Sequence, residues 1–188
     1  MPRLPRLHVP GGCYHVILRG NHREALFACD NDRLVLNDIV ADVIEKQQTR
    51  VHAFCWMTNH LHALAQVGDA PLGATMQRIA KRYSRSRHRQ LRTTGHLFER
   101  RYKAWLVDAD VYFIALLRYI HLNPVKAHTV TTPDDYPWSS LMRIAAQAPF
   151  PGLPLTSVEL ARDLHRLSAR GIWRADQPAS VGLRRSAP

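Results

Sequence analysis

Two histidines separated by one hydrophobic residue form the first pair in this sequence that could do chemistry. His60 and His62 flank Leu61 at the start of a segment with the composition of a β-strand. Side chains alternate between the two faces of a strand, so both imidazoles project from one face with their Cα atoms about 7 Å apart. Neutral imidazole is a common ligand of divalent metals, but His-x-His pairs also occur in strands without a metal. The spacing therefore predicts either a metal site or a structural pair.

A tyrosine and an asparagine one helical turn apart form the second pair. Tyr119 and Asn123 fall on one side of a predicted helix, beside its apolar stripe. The asparagine offers a neutral oxygen ligand, and a tyrosine can attack phosphorus as its phenolate. Because the unperturbed pKa of tyrosine is near 10, such an attack needs a metal ion that polarises the phosphate. Tyr112 lies two turns upstream on nearly the same side, so spacing leaves the choice of tyrosine open, and packing is the commoner role of either.

The formal net charge is +11, and its excess is concentrated between residues 78 and 103. That stretch contains one acid, Glu99, and three interleaved aromatic residues, Tyr83, Phe98 and Tyr102. Cations recruit phosphates by counterion release and aromatic rings can stack on unpaired bases, so the composition favours a nucleic-acid partner. A solvated face without a partner is the alternative, and a membrane is disfavoured because no apolar helix face accompanies the charges. The cations are Arg78, Lys81, Arg82, Arg85, Arg87, Arg89, Arg92, Arg100, Arg101 and Lys103.

Hydrophobic patterning predicts the elements that position these residues. A run of β-formers at 13–19 indicates a first strand, and apolar residues at helical spacing after the caps at 30–32 indicate a helix to about residue 48. Strands at 51–57 and 61–67 are separated by Thr58 and Asn59, which is typical of a hairpin. A second, basic helix is predicted from Pro71 to about residue 90.

A short strand at 102–107 and a third helix capped at 108–110 complete the predicted domain. Pro124 is expected to end that helix, because the residue before a proline avoids helical geometry. The order of elements predicts an α+β fold with a ferredoxin-like antiparallel sheet and helices packed on one face. We expect this domain to span residues 1–145. Residues 146–188 are expected to form an irregular C-terminal extension, with a helix near 157–167 and a disordered tail.

Composition restricts the classes of protein to which the chain can belong. The 188 residues suit one domain, and the apolar residues occur in runs too short for a membrane span. The first residues lack the apolar segment of a secretory signal, and three cysteines cannot form a fully paired disulfide framework. We therefore expect a cytoplasmic, nucleoid-associated protein without a membrane partner.

Five ordered blocks of sequence carry a resemblance to one family. They are YHV at 14–16 with RGN at 19–21, MTNHLH at 57–62, GHLFERRYKA at 95–104, RYIHLNPVKA at 118–127 and YPWSS at 136–140. With these blocks the chain resembles the REP-associated tyrosine transposases. These belong to the wider group of HUH (histidine, hydrophobic, histidine) single-tyrosine transposases of bacterial insertion sequences. The position of Asn123 is typically glutamine in the insertion-sequence enzymes and asparagine in the REP-associated branch.

The resemblance implies a site and a reaction. His60, His62 and Asn123 would bind a divalent ion, Mg²⁺ or Mn²⁺, and Tyr119 rather than Tyr112 would be the nucleophile. The implied activity is that of a transposase. It is a metal-dependent endonuclease and strand-transferase that acts on single-stranded DNA beside hairpins through a 5′-phosphotyrosine intermediate. The resemblance leaves both a homodimer and a monomer open.

The expected DNA contacts follow the basic residues. The basic helix would bind hairpin phosphates, with Arg3, Arg6, Arg19 and Arg23 as weaker candidates for reading bases. His121 and Arg118 either assist the reaction or, more commonly for such positions, serve packing. The predicted DNA-binding residues are Arg78, Lys81, Arg82, Arg85, Arg89, Arg100, Arg101, Lys103 and Arg19.

Two other functions fit parts of the same pattern. A non-catalytic hairpin DNA- or RNA-binding protein derived from such an enzyme would keep the charge and lose the metal. A metal-dependent hydrolase would use water in place of the tyrosine. A covalent protein–DNA adduct separates the transposase from both alternatives.

Overall fold

The computed structural model describes residues 8–107 and 110–141. The predicted extension 146–188, with its helix and tail, lies outside the described residues, as do Arg3 and Arg6. None of the helices in the described part of the chain combines the length and the apolar character that a bilayer crossing requires. The main elements are β1 (Cys13–Arg19), α1 (Asp30–Lys46), β2 (Arg50–Met57), β3 (His60–Gln66), α2 (Leu72–Leu91), β4 (Lys103–Val107) and α3 (Asp110–Lys126).

The four strands form one antiparallel sheet in the order β2-β3-β1-β4. Strands β3 and β1 are therefore central, and β2 and β4 are the edges. This order is the one that the ferredoxin-like arrangement of strand, helix, two strands, helix and strand produces. The predicted α+β class and antiparallel sheet are confirmed.

The helices lie on both faces of the sheet. On one face, α1 and α2 pack against alternate strand residues such as Val16, Leu18 and Leu61. On the opposite face, the apolar stripe of α3 packs against side chains that include Cys55 and Leu64. Helix α3 thus departs from the expected arrangement with all helices on one face. The reason is physical: α1 and α2 already fill the first face, and the second face of β2 and β3 is apolar enough to bury a third helix.

Helix α3 continues through Pro124 to Lys126, so the prediction that it ends at this proline is wrong. A proline inside a helix removes one N–H donor, here the one that would bond to the Ile120 carbonyl. The loss falls next to the last turn, and the following turn is intact, because the Ala127 N–H donates to the Asn123 carbonyl over 2.9 Å. A single missing bond near the end is offset by the packing of the helix on the sheet.

The segment after α3 fixes that helix to the edge of the sheet. The Trp56 N–H of β2 donates to the Trp138 carbonyl over 2.9 Å, which extends the pairing beyond β2. The buried Ser140 hydroxyl accepts from the Phe54 N–H over 3.0 Å and lies 2.7 Å from Nε2 of His121 in α3. This network covers an otherwise open strand edge and joins α3 to β2.

A close backbone approach holds the β2–β3 hairpin beside the end of β1. The Gly20 N–H donates to the Asn59 carbonyl over 2.9 Å, and the Leu26 N–H donates to the Thr58 carbonyl over 2.8 Å. A Cβ atom at position 20 would lie 2.5 Å from the Glu24 carbonyl oxygen, so this position requires glycine. The hairpin that begins at Thr58 therefore has a fixed position when the chain enters β3.

A buried ion pair joins α1 to α2. The Asp32 carboxylate accepts from the Ala28 N–H over 2.7 Å and the Cys29 N–H over 3.2 Å, which caps α1. The same carboxylate lies 2.8 Å from Nη1 of Arg87, and the side chains of both residues are almost fully buried. Arg87 was counted in the basic stretch, but it serves the core and not the surface.

Replacing the buried acid should cost far more stability than replacing an exposed one. Asp32→Ala leaves the Arg87 guanidinium buried without its carboxylate, so we expect the free energy of unfolding in urea to fall by about 3–5 kcal/mol. Asp42→Ala is the matched control, because it removes exposed ion pairs with Lys46 and Arg82 and should change little. Equal losses in the two variants would contradict a structural role for the buried pair.

Candidate metal and tyrosine site

The register of the two central strands places both histidines on the face that α3 covers. His60 pairs with Arg19 and His62 pairs with Ile17, so these four side chains share one face. Leu61, between the histidines, belongs to the core under α1 and α2. The alternation expected from the sequence is the one observed.

The two imidazoles lie close together, and a local network orients the first of them. The ring centroids of His60 and His62 are 4.9 Å apart, with the ring planes nearly perpendicular. Nδ1 of His60 lies 2.7 Å from Oδ1 of Asn59, whose amide nitrogen donates to the Arg23 carbonyl over 3.1 Å. Because the amide oxygen is thus the acceptor, His60 carries its proton on Nδ1. Its Nε2 lone pair is left for a ligand.

A third histidine, His15 of the block YHV at 14–16, orients the second ring. Nε2 of His15 lies 3.1 Å from Nδ1 of His62, and the two rings stack with centroids 5.4 Å apart. When His62 donates its Nδ1 proton to His15, its Nε2 lone pair is free. The signal that could have found His15 is its place on the same face of β1 as Arg19, once β1 is paired with β3.

Burial keeps all three rings neutral near pH 7. Burial is the main cause that lowers the pKa of His62 to about 2, with the charges of His15, His60 and Arg19 adding to the effect. Burial also lowers the pKa of His15 to about 4. The pKa of His60 is lowered by burial and then by Arg19. A neutral imidazole has a lone pair for a metal, which a protonated one lacks.

Helix α3 brings Tyr119 against the histidines. Its ring centroid lies 5.6 Å from that of His62 and 5.8 Å from that of His15, with edge-to-face geometry at both. The Lys126 ammonium lies 5.0 Å from the centre of the tyrosine ring. One turn after Tyr119, Asn123 donates from Nδ2 to the Tyr119 carbonyl over 2.8 Å, which leaves its Oδ1 as an acceptor.

Two other candidate residues on α3, Tyr112 and His121, pack against the core. Tyr112 is half-buried at the edge of the core beneath α3, and burial raises its pKa, with proximity to Tyr119 as the smaller cause. Among the described ring contacts, none joins Tyr112 to a histidine. His121 is buried against Ser140, and burial lowers its pKa to about 4. Its packing role is the one that the geometry supports, and Arg118 lies exposed on the surface.

The donor set fits a divalent ion that also binds substrate. The described residues contain no cluster of three His, Cys, Asp or Glu side chains. The available donors are the Nε2 atoms of His60 and His62, which have no hydrogen-bond partner in this part of the chain, and the Asn123 amide oxygen. Two neutral imidazoles and one amide leave coordination positions for phosphate oxygens and water, as an open catalytic site requires.

The predicted DNA-binding cations lie in two separate groups. One group projects from the exposed side of α2, on the opposite face of the sheet from the histidines, and there Arg82 is paired with Asp42. The other group borders a cleft beside the histidines, between β1, β4 and the loop at 99–101. In the sequence, the cations of residues 78–103 form one basic stretch. In the structure they lie on opposite faces of the sheet. The α2 group is Arg78, Lys81, Arg82, Arg85 and Arg89, and the cleft group is Arg19, Arg100, Arg101 and Lys103.

The aromatic residues interleaved with these cations pack in the core. Tyr83 is fully buried and donates its hydroxyl to the Leu26 carbonyl over 2.8 Å. Tyr102 is buried, and Phe98 packs against the same core. The expectation that these rings stack on bases is therefore wrong, since their spacing places them on the inner side of their elements. Trp105, which the sequence analysis did not single out, is the half-exposed aromatic residue of the cleft.

The family of the chain follows from a match that covers most of this domain. The family model described as IS200-like transposase matches residues 8–123, a range that runs from before β1 to Asn123. The chain belongs to the IS200-like transposase family. Among curated proteins, none matches this transposase. The resemblance read from the sequence blocks is thereby confirmed at the level of the family.

Two solved structures are similar to that of this transposase. A REP-associated tyrosine transposase bound to a REP hairpin has a TM-score of 0.65 at 18% identity, covering 100% of this chain and 98% of that chain. A putative transposase from Deinococcus radiodurans R1 has a TM-score of 0.44 at 20% identity, covering 63% of this chain and 95% of that chain. At 18% identity the first likeness shows a shared fold.

The lowered pKa values predict that two histidines remain neutral in mildly acidic solution. In the metal-free protein, the ring Hε1 signals of His15 and His62 should not titrate between pH 8 and 5.5, because their pKa values lie near 4 and 2. Histidine NMR spectra measure this, with His15→Gln and His62→Gln for assignment and the exposed His96 as a comparison. A titration midpoint near 6.5 for either buried ring would show that burial does not hold the pair neutral.

Proposed function

We propose that this transposase cleaves and rejoins single-stranded DNA beside hairpins, with Tyr119 as the nucleophile. The phenol oxygen forms a bond to phosphorus and loses its proton, while the bond from phosphorus to the 3′ oxygen breaks. The products are a 5′-phosphotyrosine and a free 3′-OH, and because the phosphotyrosine retains the energy of the phosphodiester, a second 3′-OH can reverse the step. The observation that carries the proposal is the contact of the Tyr119 ring with two neutral imidazoles on one sheet face.

The residues proposed to hold a divalent ion, Mg²⁺ or Mn²⁺, are His60, His62 and Asn123. The ion would polarise the scissile phosphate and neutralise charge that develops on it, which tyrosine needs because its ordinary pKa is near 10. Support comes from the two oriented Nε2 lone pairs, the lowered histidine pKa values and the Asn123 Oδ1 left without a donor. Of these residues, His62 contacts the ring that is proposed to attack, and Asn123 is hydrogen-bonded to the backbone carbonyl of the same tyrosine.

The surrounding side chains orient the rings of His60 and His62 and add positive charge beside Tyr119. Asn59 and His15 hydrogen-bond to Nδ1 of the two ligand rings and thereby fix the direction of Nε2. Lys126 places a positive charge beside the Tyr119 ring, where a phosphate oxygen approaches. Each of these residues acts through orientation or charge, so the attacking oxygen and the phosphate meet in a defined geometry.

The proposed substrate is hairpin DNA with an unpaired segment. The solved REP-associated transposase with this fold is bound to a REP hairpin. The resemblance of the sequence blocks implies the same branch, in which the position of Asn123 carries asparagine. The exposed cations of α2 are suited to hairpin phosphates, which contribute affinity without reading sequence. We further propose that the enzyme acts on the nucleoid in the cytoplasm and that residues 1–145 form its catalytic domain.

Removing one hydroxyl should abolish the covalent step. Tyr119→Phe should form no protein–DNA adduct with a labelled REP hairpin carrying an unpaired arm, in the presence of Mn²⁺, while its hairpin affinity stays within about twofold of the wild type, because the ring and its contacts remain. A denaturing gel detects the adduct. Tyr112→Phe is the matched control and should form it normally. Free nicked DNA with the wild type would indicate a hydrolase, and intact DNA would indicate a binding protein without catalysis.

Removing the metal should stop the reaction and leave the fold intact. Treatment with EDTA should abolish the adduct, and added Mn²⁺ should restore it. His62→Ala should weaken Mn²⁺ binding measured by calorimetry at least tenfold, because one of two imidazole ligands is lost, and the exposed His96→Ala should leave it unchanged. An adduct that forms equally well in EDTA would contradict the proposed metal.

A further inference from the structure

Within residues 8–107 and 110–141, helix α3 covers only part of the sheet face that carries the histidines. Helix α3 packs on β2 and β3. Cys13 of β1 and Val107 of β4 still pack against the cluster under α3. The other ends of these two strands border a cleft of about 240 Å³. Its walls are Ile17 and Arg19 from β1, Lys103 and Trp105 from β4, and the loop at 99–101.

Strand pairing places this cleft beside His15, which lies between Trp105 of the cleft and His62. Ile17 pairs with Lys103, and His15 pairs with Trp105, so these side chains share the histidine face. The ring centroids of Trp105 and His15 are 5.6 Å apart, and the His15 ring stacks on His62. A group lying on the indole would therefore be adjacent to a phosphate held at the histidines.

The cleft has an excess of positive charge, and the loop that carries part of this charge is hydrogen-bonded to the sheet. Among the described residues, no carboxylate lies within ion-pairing distance of Arg19, Arg101 or Lys103, and the acid of the loop, Glu99, pairs with Arg100 at 3.8 Å. The Glu99 N–H donates to the Arg19 carbonyl over 3.1 Å, which ties the loop to the end of β1. The cations are therefore available to an anion, and the wall that carries them is anchored to the sheet.

We propose that this cleft binds one unpaired nucleotide directly beside the scissile phosphate. Its base stacks on the indole of Trp105 above Ile17, and its phosphate lies between Arg19 and Lys103. A flat aromatic surface flanked by cations is the combination that proteins use for single-stranded nucleic acid, and stacking of this kind accepts any base. A free inorganic anion would use the cations but leave the indole without a role. The assignment rests on the proposed function, because it places the nucleotide relative to the scissile phosphate.

The test compares hairpins with and without an unpaired arm. The probes are a fluorescent REP hairpin with blunt ends and the same hairpin with an eight-nucleotide arm on its 5′ or its 3′ side. Binding is measured in the Tyr119→Phe background so that no cleavage occurs. Adding Trp105→Ala should weaken binding of one armed hairpin about tenfold and leave the blunt hairpin within about twofold, since one stacked base is lost.

Two further variants separate stacking and charge from damage to the fold. Trp105→Phe keeps an aromatic face, so it should restore binding of the armed hairpin to within about threefold of the parent. Lys103→Gln should lower the slope of log affinity against log salt for the armed hairpin by about 0.7, the contribution of one phosphate contact on a single strand. Thermal unfolding monitored by circular dichroism checks that each variant is folded.

The outcomes of this test are independent of the adduct assay. Parent-like binding of both armed hairpins by Trp105→Ala would overturn the proposal, and so would an equal loss for armed and blunt hairpins. Failure of Trp105→Phe to restore binding would overturn the stacking contact. If the wild type forms no adduct but Trp105→Ala still weakens binding of an armed hairpin and not of the blunt hairpin, the proposed catalysis fails while the nucleotide site stands.

Discussion

The pairing register of β1 with β3 is the constraint on which the site depends. It sets His60 opposite Arg19 and His62 opposite Ile17, with both imidazoles on the face beneath α3. Because side chains alternate along a strand, a slip of one residue would move the histidines into the core under α1 and α2 and bring Leu61 to the site. The apolar face of β3 prevents that slip, since burying two imidazoles in place of aliphatic side chains is costly. The hydrophobic core thus specifies the face from which His60 and His62, the proposed metal ligands, project.

The second half of the site comes from a helix that the sheet holds in place. Helix α3 packs its apolar stripe on β2 and β3, and the contact between His121 and Ser140 ties it to the strand edge. This docking brings Tyr119 to the histidine rings. In the part of the chain that the structure describes, a cleft remains beside it between β1, β4 and the loop at 99–101. Among the described residues, the histidine pair therefore lies under α3 beside a positively charged cleft. The arrangement suits the proposed reaction, in which a flexible DNA strand would reach Tyr119.

The sequence predicted the parts of this structure that depend on local pattern. Strand β1 and the alternation around His60 followed from hydrophobic periodicity, and helix α1 followed from its caps and apolar spacing. The sequence did not predict what depends on packing between distant segments. It could not show that α3 lies on the second face, that His15 contacts His62, or that the sheet divides the basic stretch. The end of α3 was misplaced because a local rule for Pro124 was applied where tertiary contacts stabilise one more turn.

We propose that two imidazoles oriented through Nδ1 present Nε2 to one cation beside the tyrosine ring. The most direct measurement is the anomalous difference density of crystals grown with Mn²⁺. We expect a single strong peak at coordination distance from Nε2 of both His60 and His62. A peak bound through Nδ1 of either ring, or a peak remote from both histidines, would contradict it.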